Sequence, residues 1–454
     1  MNHIENSPGF EKAKIINRED HNISRKLISP NALKVLYRLS EGNFDGYLVG
    51  GCVRDIMLGQ KPKDFDVATS ATPEQVSSLF KNARIIGRRF KIVHIRYGRE
   101  IIEVTTFRAN HDASNEIADG ASRRKIKELD SAHSTSGMIL RDNVYGNIDE
   151  DALRRDFTIN ALYYSLDQFR VLDFCGGIED LDSRSIRMIG DPEARYREDP
   201  VRMLRAIRFA AKLDFDLEAS TAEPIDKLAY LLESISSARL FDETIKLLTG
   251  GNAVKTFELL RQSKVGDYLF APTMNAISSG PDNASRLLDL ALINTDSRLA
   301  LGKSVTPAFL FAALLWPVLQ NRIASISPTS ANDYQRHQNT ANDVILEQLP
   351  YTAVPKRFTI AAKEIWELQL RLARRNKRSI ESSFAHPRFR AAYDFLLLRE
   401  QSGEELGGLG QWWTDFQLAD QVQRSELAMS AAKTPHRLSR KPSRKPSRGK
   451  GDAG

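Results

Sequence analysis

Every strand-like run that can be read in this 454-residue chain lies before residue 176, and from Gly176-Gly177 to about Ala432 the apolar residues keep helical spacing. Strands gathered first and helices afterwards give an α+β class: a small mixed sheet with helices, then an all-α remainder. With 41% hydrophobic and 27% charged residues the chain can bury a sizeable core, which excludes a wholly disordered, collagen-like or membrane-embedded protein.

The pattern divides the chain further. Residues 1–25 are polar and expected to be loose. Residues 26–175 hold the sheet, with helices predicted over 31–40 and 53–58 and strands over 47–49, 64–68, 83–86, 92–97, 101–106 and 171–173. Thr72-Pro73-Glu74-Gln75 predicts a helix start, with Thr72 capping and Gln75 completing a capping box. Residues 109–137 are polar, Ser-rich and without period, and are expected to be a flexible insert. Residues 176–260 and 261–432 are two helical regions, with clear helices over 200–213, 244–248, 253–260 and 358–373. All four tryptophans fall in the helical half and read as core.

Charge is concentrated at one end. Residues 433–454 carry Lys433, Arg437, Arg440, Lys441, Arg444, Lys445, Arg448 and Lys450 against one acid, Asp452, which accounts for the whole net charge of +7. This basic segment contains the period-four run RKPSRKPSR and is expected to be disordered. The two cysteines, Cys52 and Cys175, are far apart and form no metal-type spacing, which suits a reducing cytoplasm. The first residues lack the apolar stretch of a signal peptide. The longest apolar run, residues 307–319, is short for a bilayer and contains Pro317, so it is expected to be a buried core helix.

Five constellations carry chemistry. Leu48-Val49-Gly50-Gly51-Cys52-Val53-Arg54-Asp55 is a strand, a glycine turn and a helix start, an arrangement whose free N–H groups suit a polyphosphate, with Arg54 as a charged clamp. Asp64-Phe65-Asp66 places two carboxylates at strand spacing on one face, where their repulsion suits a divalent cation between them; a solvated strand edge with two free acids is the alternative. Glu103 sits inside the β-branched run Ile101–Thr105 and can supply a third carboxylate or face solvent. Arg154-Arg155-Asp156-Phe157-Thr158-Ile159-Asn160-Ala161-Leu162 offers a cation beside a carboxylate, either a closed ion pair or a phosphate ligand held by an acid. In Glu198-Asp199-Pro200-Val201-Arg202-Met203-Leu204-Arg205-Ala206-Ile207-Arg208, Asp199 precedes a helix on which three arginines recur at steps of three. Donors and acceptors of that kind can meet a base edge; a basic solvated face is the alternative.

In this order the segments LVGGCVRD, KPKDFDVAT, RRDFTINAL and EDPVRMLRAIRFAAKL resemble the class II nucleotidyltransferases, the superfamily of bacterial poly(A) polymerases and tRNA CCA-adding enzymes. The resemblance covers about residues 45–215. The stretch Ile85–His94, the segments SSARLFDETIKLL and HPRFRAAYDFLLLR, and the basic tail resemble the poly(A) polymerase branch. Cys52 departs from the Gly or Ala usual after the glycine pair, and its small size should preserve the turn.

The resemblance implies an N-terminal nucleotidyltransferase head (26–175), a nucleotide- and RNA-binding helical neck (176–260), and an RNA-binding body and tail (261–432). It implies a template-independent polymerase that adds AMP from ATP to RNA 3′ ends, promoting polyadenylation and decay. Asp64 and Asp66 would bind Mg²⁺, with Mn²⁺ as an alternative ion, and Glu103 and Asp156 would complete the catalytic carboxylates. Gly50, Gly51, Arg54 and Arg155 would meet the phosphates; Asp199, Arg202, Arg205 and Arg208 would hold the base and triphosphate. The implied partners are ATP, the 3′ ends of mRNA, small RNA and decay fragments, and RNA-decay proteins, without DNA, in a cytoplasmic enzyme whose tail leaves peripheral membrane association open. The rivals are a CCA-adding enzyme and a catalytically silent RNA-binding adaptor; the retained carboxylates argue against the adaptor.

Overall fold

The structure, a computed structural model, describes residues 10–87, 91–109, 116–117, 131–134, 139–142, 144–326, 333–374 and 376–433. The stretch 88–90, most of the 109–137 insert and the basic tail lie outside the described residues. Two compact units emerge. The first comprises Met1–Met274 with Thr295–Lys303 and Gln348–Ala353, and the second comprises Asn275–Asn294, Ser304–Glu347 and Val354–Gly454.

In the first unit the strands are β1 (Lys14–Ile16), β2 (Gly46–Val49), β3 (Asp66–Thr69), β4 (Ala83–Ile86), β5 (Ile92–Tyr97), β6 (Glu100–Thr106), β7 (Glu116–Ile117), β8 (Ser131–Ser134), β9 (Ile139–Asp142), β10 (Leu162–Ser165) and β11 (Val171–Asp173). Eight of them form one sheet in the order β1-β11-β10-β2-β3-β6-β5-β4. All neighbours are antiparallel except β3 and β6. β7, β8 and β9 form a separate three-stranded sheet within and just after the stretch expected to be aperiodic.

Helix α1 (Pro30–Glu41) starts where Ser29 accepts from the Asn31 N–H, and it buries Ala32, Val35, Leu36 and Leu39, a stripe at helical spacing. Helix α2 (Gly51–Met57) follows β2 directly. Helix α3 (Pro73–Leu79) has the Thr72–Gln75 capping box expected of it. Helix α4 (Ile148–Leu153) closes the other face: its Ile148 and Ala152 pack with Tyr47, Val49, Ala68, Tyr163 and Leu172.

Three expectations change. Residues 10–25 are not loose: β1 pairs with β11 at the sheet edge, and Phe10 is buried beneath it. Three residues are too few to show an alternation in sequence. The strand expected over 64–68 begins only at Asp66, and Asp64 lies in a bend before it. The helical half is not strand-free, since Ser185–Ile186 pairs in parallel with Asp216–Leu217.

After β11 the first unit continues through helices α5 (Gly177–Asp182), α6 (Pro192–Glu198) and α7 (Val201–Leu213), and then Ala219–Leu228, Ser237–Leu248 and Ala253–Gln262. The α7 helix buries Val201, Met203, Leu204, Ala206, Ile207, Phe209, Ala210, Ala211 and Leu213, which leaves its arginines on the remaining arc.

In the second unit, the apolar run becomes the helix Pro307–Ser325, capped by Thr306, with Ala308 and Leu310–Leu319 buried. It is long and apolar enough to cross a membrane by length and composition, yet most of it is buried within the protein. Trp366 donates to the Ala312 carbonyl from this core, and Trp413 donates to Leu372.

Candidate active site

The site begins with backbone. Between β2 and α2 the chain turns at Gly50 (φ 77°, ψ −134°), a conformation open in practice only to glycine. At Gly51 an added Cβ would sit 3.5 Å from Arg54 Nη2, ordinary contact, so the protein's own packing does not demand glycine there. The bare backbone suits close approach by a ligand. Cys52 is buried with its thiol on the Val49 carbonyl, and burial pushes the thiol up to about 12. It acts as a small apolar residue, and the turn is intact.

Carboxylates gather beside this turn. Register places Asp66 opposite Glu103 on the parallel pair β3–β6, so both side chains leave the same face. Asp66 is pushed up to about 6, chiefly by burial, then by the negative charge of Glu103, with a further push from Asp64; the Arg155 guanidinium opposes them. Strand alternation predicts Asp64 and Asp66 side by side on one strand face. Instead, a bend presents Asp64 and cross-strand pairing presents Glu103. Nε2 of His94, on β5, lies 3.2 Å from Glu103 Oε1.

Asp156 is placed differently. Its Oδ1 accepts from the Phe157 N–H (2.8 Å) and from Asn160 Nδ2 (3.2 Å), and its Oδ2 accepts from Arg205 Nε (2.7 Å). Burial alone would raise this carboxyl. Arg205, Asn160 and the Phe157 N–H outweigh it and hold it down at about 2. Both oxygens are thus committed to protein donors, which makes Asp156 a holder of Arg205.

The arginines separate into held and presented groups. Arg54 is only 2% exposed; its Nε and Nη2 bond Asp55 Oδ1, its Nη1 bonds Asn160 Oδ1 (2.5 Å), and it stacks on Phe209. Arg155 donates to Tyr163 Oη (2.8 Å) and Asp151 Oδ2 (3.0 Å), while Tyr163 Oη donates to the same Asp151 oxygen (2.7 Å). Gly50 lies under it, since a Cβ there would come 3.7 Å from Arg155 Nη1. On α7, Arg202 is spent on Glu198 and the Arg195 carbonyl, and Arg208 faces Glu243 at 3.5 Å. Arg205, with its side chain 38% exposed, is the most open of the three. Asp199 Oδ1 accepts from the Val201 N–H (3.4 Å) at the start of α7, and its Oδ2 accepts from Arg239 Nη2 (2.8 Å).

A surplus of positive charge accompanies these contacts. Arg154 is driven down to about 9 by burial and then by the charges of Arg108, Arg195 and Arg202. Arg195 is driven down to about 10 by burial and then by Arg202. Arg195 also clamps the Arg154 and Arg155 carbonyls. Such crowding favours a bound polyanion.

Asp151, Asn160, Tyr163, Arg195, Arg239 and Glu243 join the site without standing out in the sequence. Asp151 carries a signal, four residues before Arg155, the spacing of a helical ion pair. Asn160 stands inside the segment that begins at Arg154. Tyr163 directly follows that segment and Arg195 lies three residues before Glu198, yet neither carries a pattern of its own; Arg239 and Glu243 come from a later helix and carry none.

The oxygen-only donors Asp64, Asp66 and Glu103 fit a hard divalent cation. Among the described residues, no three His, Cys, Asp or Glu side chains are gathered so as to hold a metal ion by themselves. Mg²⁺ typically keeps waters and substrate phosphates among its ligands, so an open set of this kind suits it.

Residues 46–187 match the poly A polymerase head domain, residues 214–277 the "probable RNA and SrmB-binding site of polymerase A", and residues 329–449 the polymerase A arginine-rich C-terminus. Poly(A) polymerase I of Salmonella typhimurium is 49% identical over 407 residues, 89% of this chain and 85% of the relative. The CCA-adding enzyme of Lactobacillus helveticus is 36% identical over 236 residues, 52% of this chain and 54% of the relative. A solved tRNA nucleotidyltransferase, complexed with a primer tRNA and an incoming ATP analogue, shares the fold at a TM-score of 0.54 and 21% identity, over 85% of this chain and all of the other.

Proposed function

Because this chain belongs to the poly(A) polymerase I family, we propose that it adds AMP from ATP to RNA 3′ ends without a template and releases pyrophosphate. The observation that carries the reading is Asp66, half-sunk beside Glu103 and Asp64, with the Arg155 cluster and the Gly50–Gly51 turn next to it.

Asp64 and Asp66 would hold Mg²⁺, which would lower the pKa of the primer hydroxyl and neutralise charge building on the leaving pyrophosphate. The remaining work falls to the chain itself. The Gly50–Gly51 backbone leaves room for the triphosphate. Arg155, fixed by Tyr163 and Asp151, offers it positive charge from an immobile side chain. Asp156 holds Arg205 and, through Asn160, the site of Arg54, so one acid orients two guanidiniums. Asp199, Arg202, Arg205 and Arg208 form the base and triphosphate side, with Arg205 the most available. Glu103 keeps the field at Asp66 negative. No protein nucleophile is needed, because the RNA 3′-hydroxyl attacks the α-phosphate directly.

The head (26–175) and neck (176–260) carry this chemistry, and the body, tail and basic C-terminus hold RNA. The substrates are RNA 3′ ends in the cytoplasm, and adenylation there favours their decay.

Primer extension tests the assignment. Purified protein, Mg²⁺ and a labelled unstructured RNA are incubated with each nucleoside triphosphate separately, beside a tRNA lacking its terminal CCA. A long ladder with ATP alone is expected. Addition confined to the truncated tRNA and stopping after CCA would move the assignment to a CCA-adding enzyme.

A further inference from the structure

One register row crosses the outer half of the sheet and carries an ionisable side chain at each step. Arg84 on β4 pairs with His94 on β5, His94 with Glu103 on β6, and Glu103 with Asp66 on β3. Directly paired residues leave the same face. At about 4.8 Å between strands, Arg84 stands roughly 14 Å from Asp66 along this row. Continuing the other way, Asp66 pairs with Val49 and Val49 with Tyr163, the tyrosine that holds Arg155.

Asp66 is therefore flanked by cations on both sides. On the β2–β10 side stands the Arg155 cluster. On the β6–β5–β4 side stands Arg84, exposed on the edge strand, its guanidinium in no ion pair among the described residues. The row above adds the exposed Arg96 and, opposite it, Ile101, an apolar side chain left 39% exposed. Glu103, the acid on this stretch, has His94 against it.

Phosphoryl transfer sets the attacking and leaving oxygens in line on opposite sides of the phosphorus. With the triphosphate held by the Arg155 cluster, the attacking hydroxyl must arrive from the other flank. We propose that the outer face of β4, β5 and β6, with Arg84 at its edge, seats the phosphodiester backbone of the RNA primer and delivers its 3′-hydroxyl to Asp66 from the side opposite the triphosphate. His94 is a positioning residue that holds Glu103 toward β5. Ile101 gives a base or ribose an apolar surface. The inference rests on the polymerase reading above.

The test uses the full-length protein, labelled oligo(A) RNA and ATP, with KM measured for each substrate. Arg84→Glu is expected to raise KM for RNA about tenfold, leave KM for ATP and kcat unchanged, and reduce the log–log salt slope of RNA binding by about 0.7. Arg84→Lys is expected to stay within about twofold of wild type. An unchanged RNA KM and salt slope in Arg84→Glu, or a rise in ATP KM instead, would overturn the proposal. Wild-type ladders in the same assay separate the two levels. A normal wild type with an unaffected Arg84→Glu removes this inference alone, whereas a wild type that adds no AMP removes the polymerase reading and this inference with it.

Discussion

Replacing Asp156 by Asn keeps the side chain's shape and one carbonyl acceptor but removes the charge that holds Arg205. In the folded protein this carboxyl is held at about 2, against an ordinary value of 3.8. That difference corresponds to about 2 kcal/mol of stability at neutral pH. The sign follows from the depressed value: the contribution is complete above the unfolded pKa near 4 and is lost as pH falls toward 2. Asp156→Asn should therefore be less stable by about 2 kcal/mol at pH 7, and the gap should close between about pH 5 and pH 2. With a urea slope of about 3 kcal/mol/M, the midpoint moves down by about 0.7 M. The four tryptophans, Trp316, Trp366, Trp412 and Trp413, all lie in the second unit. Far-UV circular dichroism should show the shift in the first unit, and tryptophan fluorescence should not move. A gap that stays constant down to pH 3, or no gap at pH 7, would refute the ion-pair account of Asp156.

Tyr163→Phe removes the hydroxyl that joins Arg155 to Asp151, and a loss of about 1 kcal/mol predicts a KM for ATP raised about fivefold with little change in kcat. Gly50→Ala puts a side chain at φ 77°; a cost of about 1–3 kcal/mol should appear in the urea midpoint of the first unit, with weaker ATP binding by calorimetry. Removing residues 433–454, with their eight Lys and Arg, should weaken RNA binding regardless of sequence and flatten its salt dependence by about 0.7 for each phosphate no longer neutralised.

Much of this was legible in the sequence because local chemistry wrote it there. The Thr72–Gln75 capping box, the strands Ala83–Ile86 and Ile92–Tyr97, and the helix over 201–213 carry their own start signals and periods. β10 escaped because all four of its residues are buried, so it shows no alternation. In the site, residue types were legible but partnerships were not. Arg54 reads as a phosphate clamp beside a glycine turn, yet Asn160, distant in the chain, takes its guanidinium. Asp156 reads as a catalytic acid, yet Arg205, 49 residues on, occupies it. Glu103 became interpretable only once parallel pairing set it beside Asp66. Periodicity reports which face a residue takes; only the closed sheet reports what it faces.

The central claim is that Asp66 is the acid on which AMP transfer depends. The most direct measurement is a single-turnover addition of one AMP to a labelled RNA by Asp66→Asn and by wild type, at saturating ATP and Mg²⁺, with ATP binding measured in parallel. The account predicts a loss of rate of at least about a thousandfold, with ATP binding retained in part through the Arg155 cluster. A variant that transfers AMP at close to the wild-type rate would contradict it.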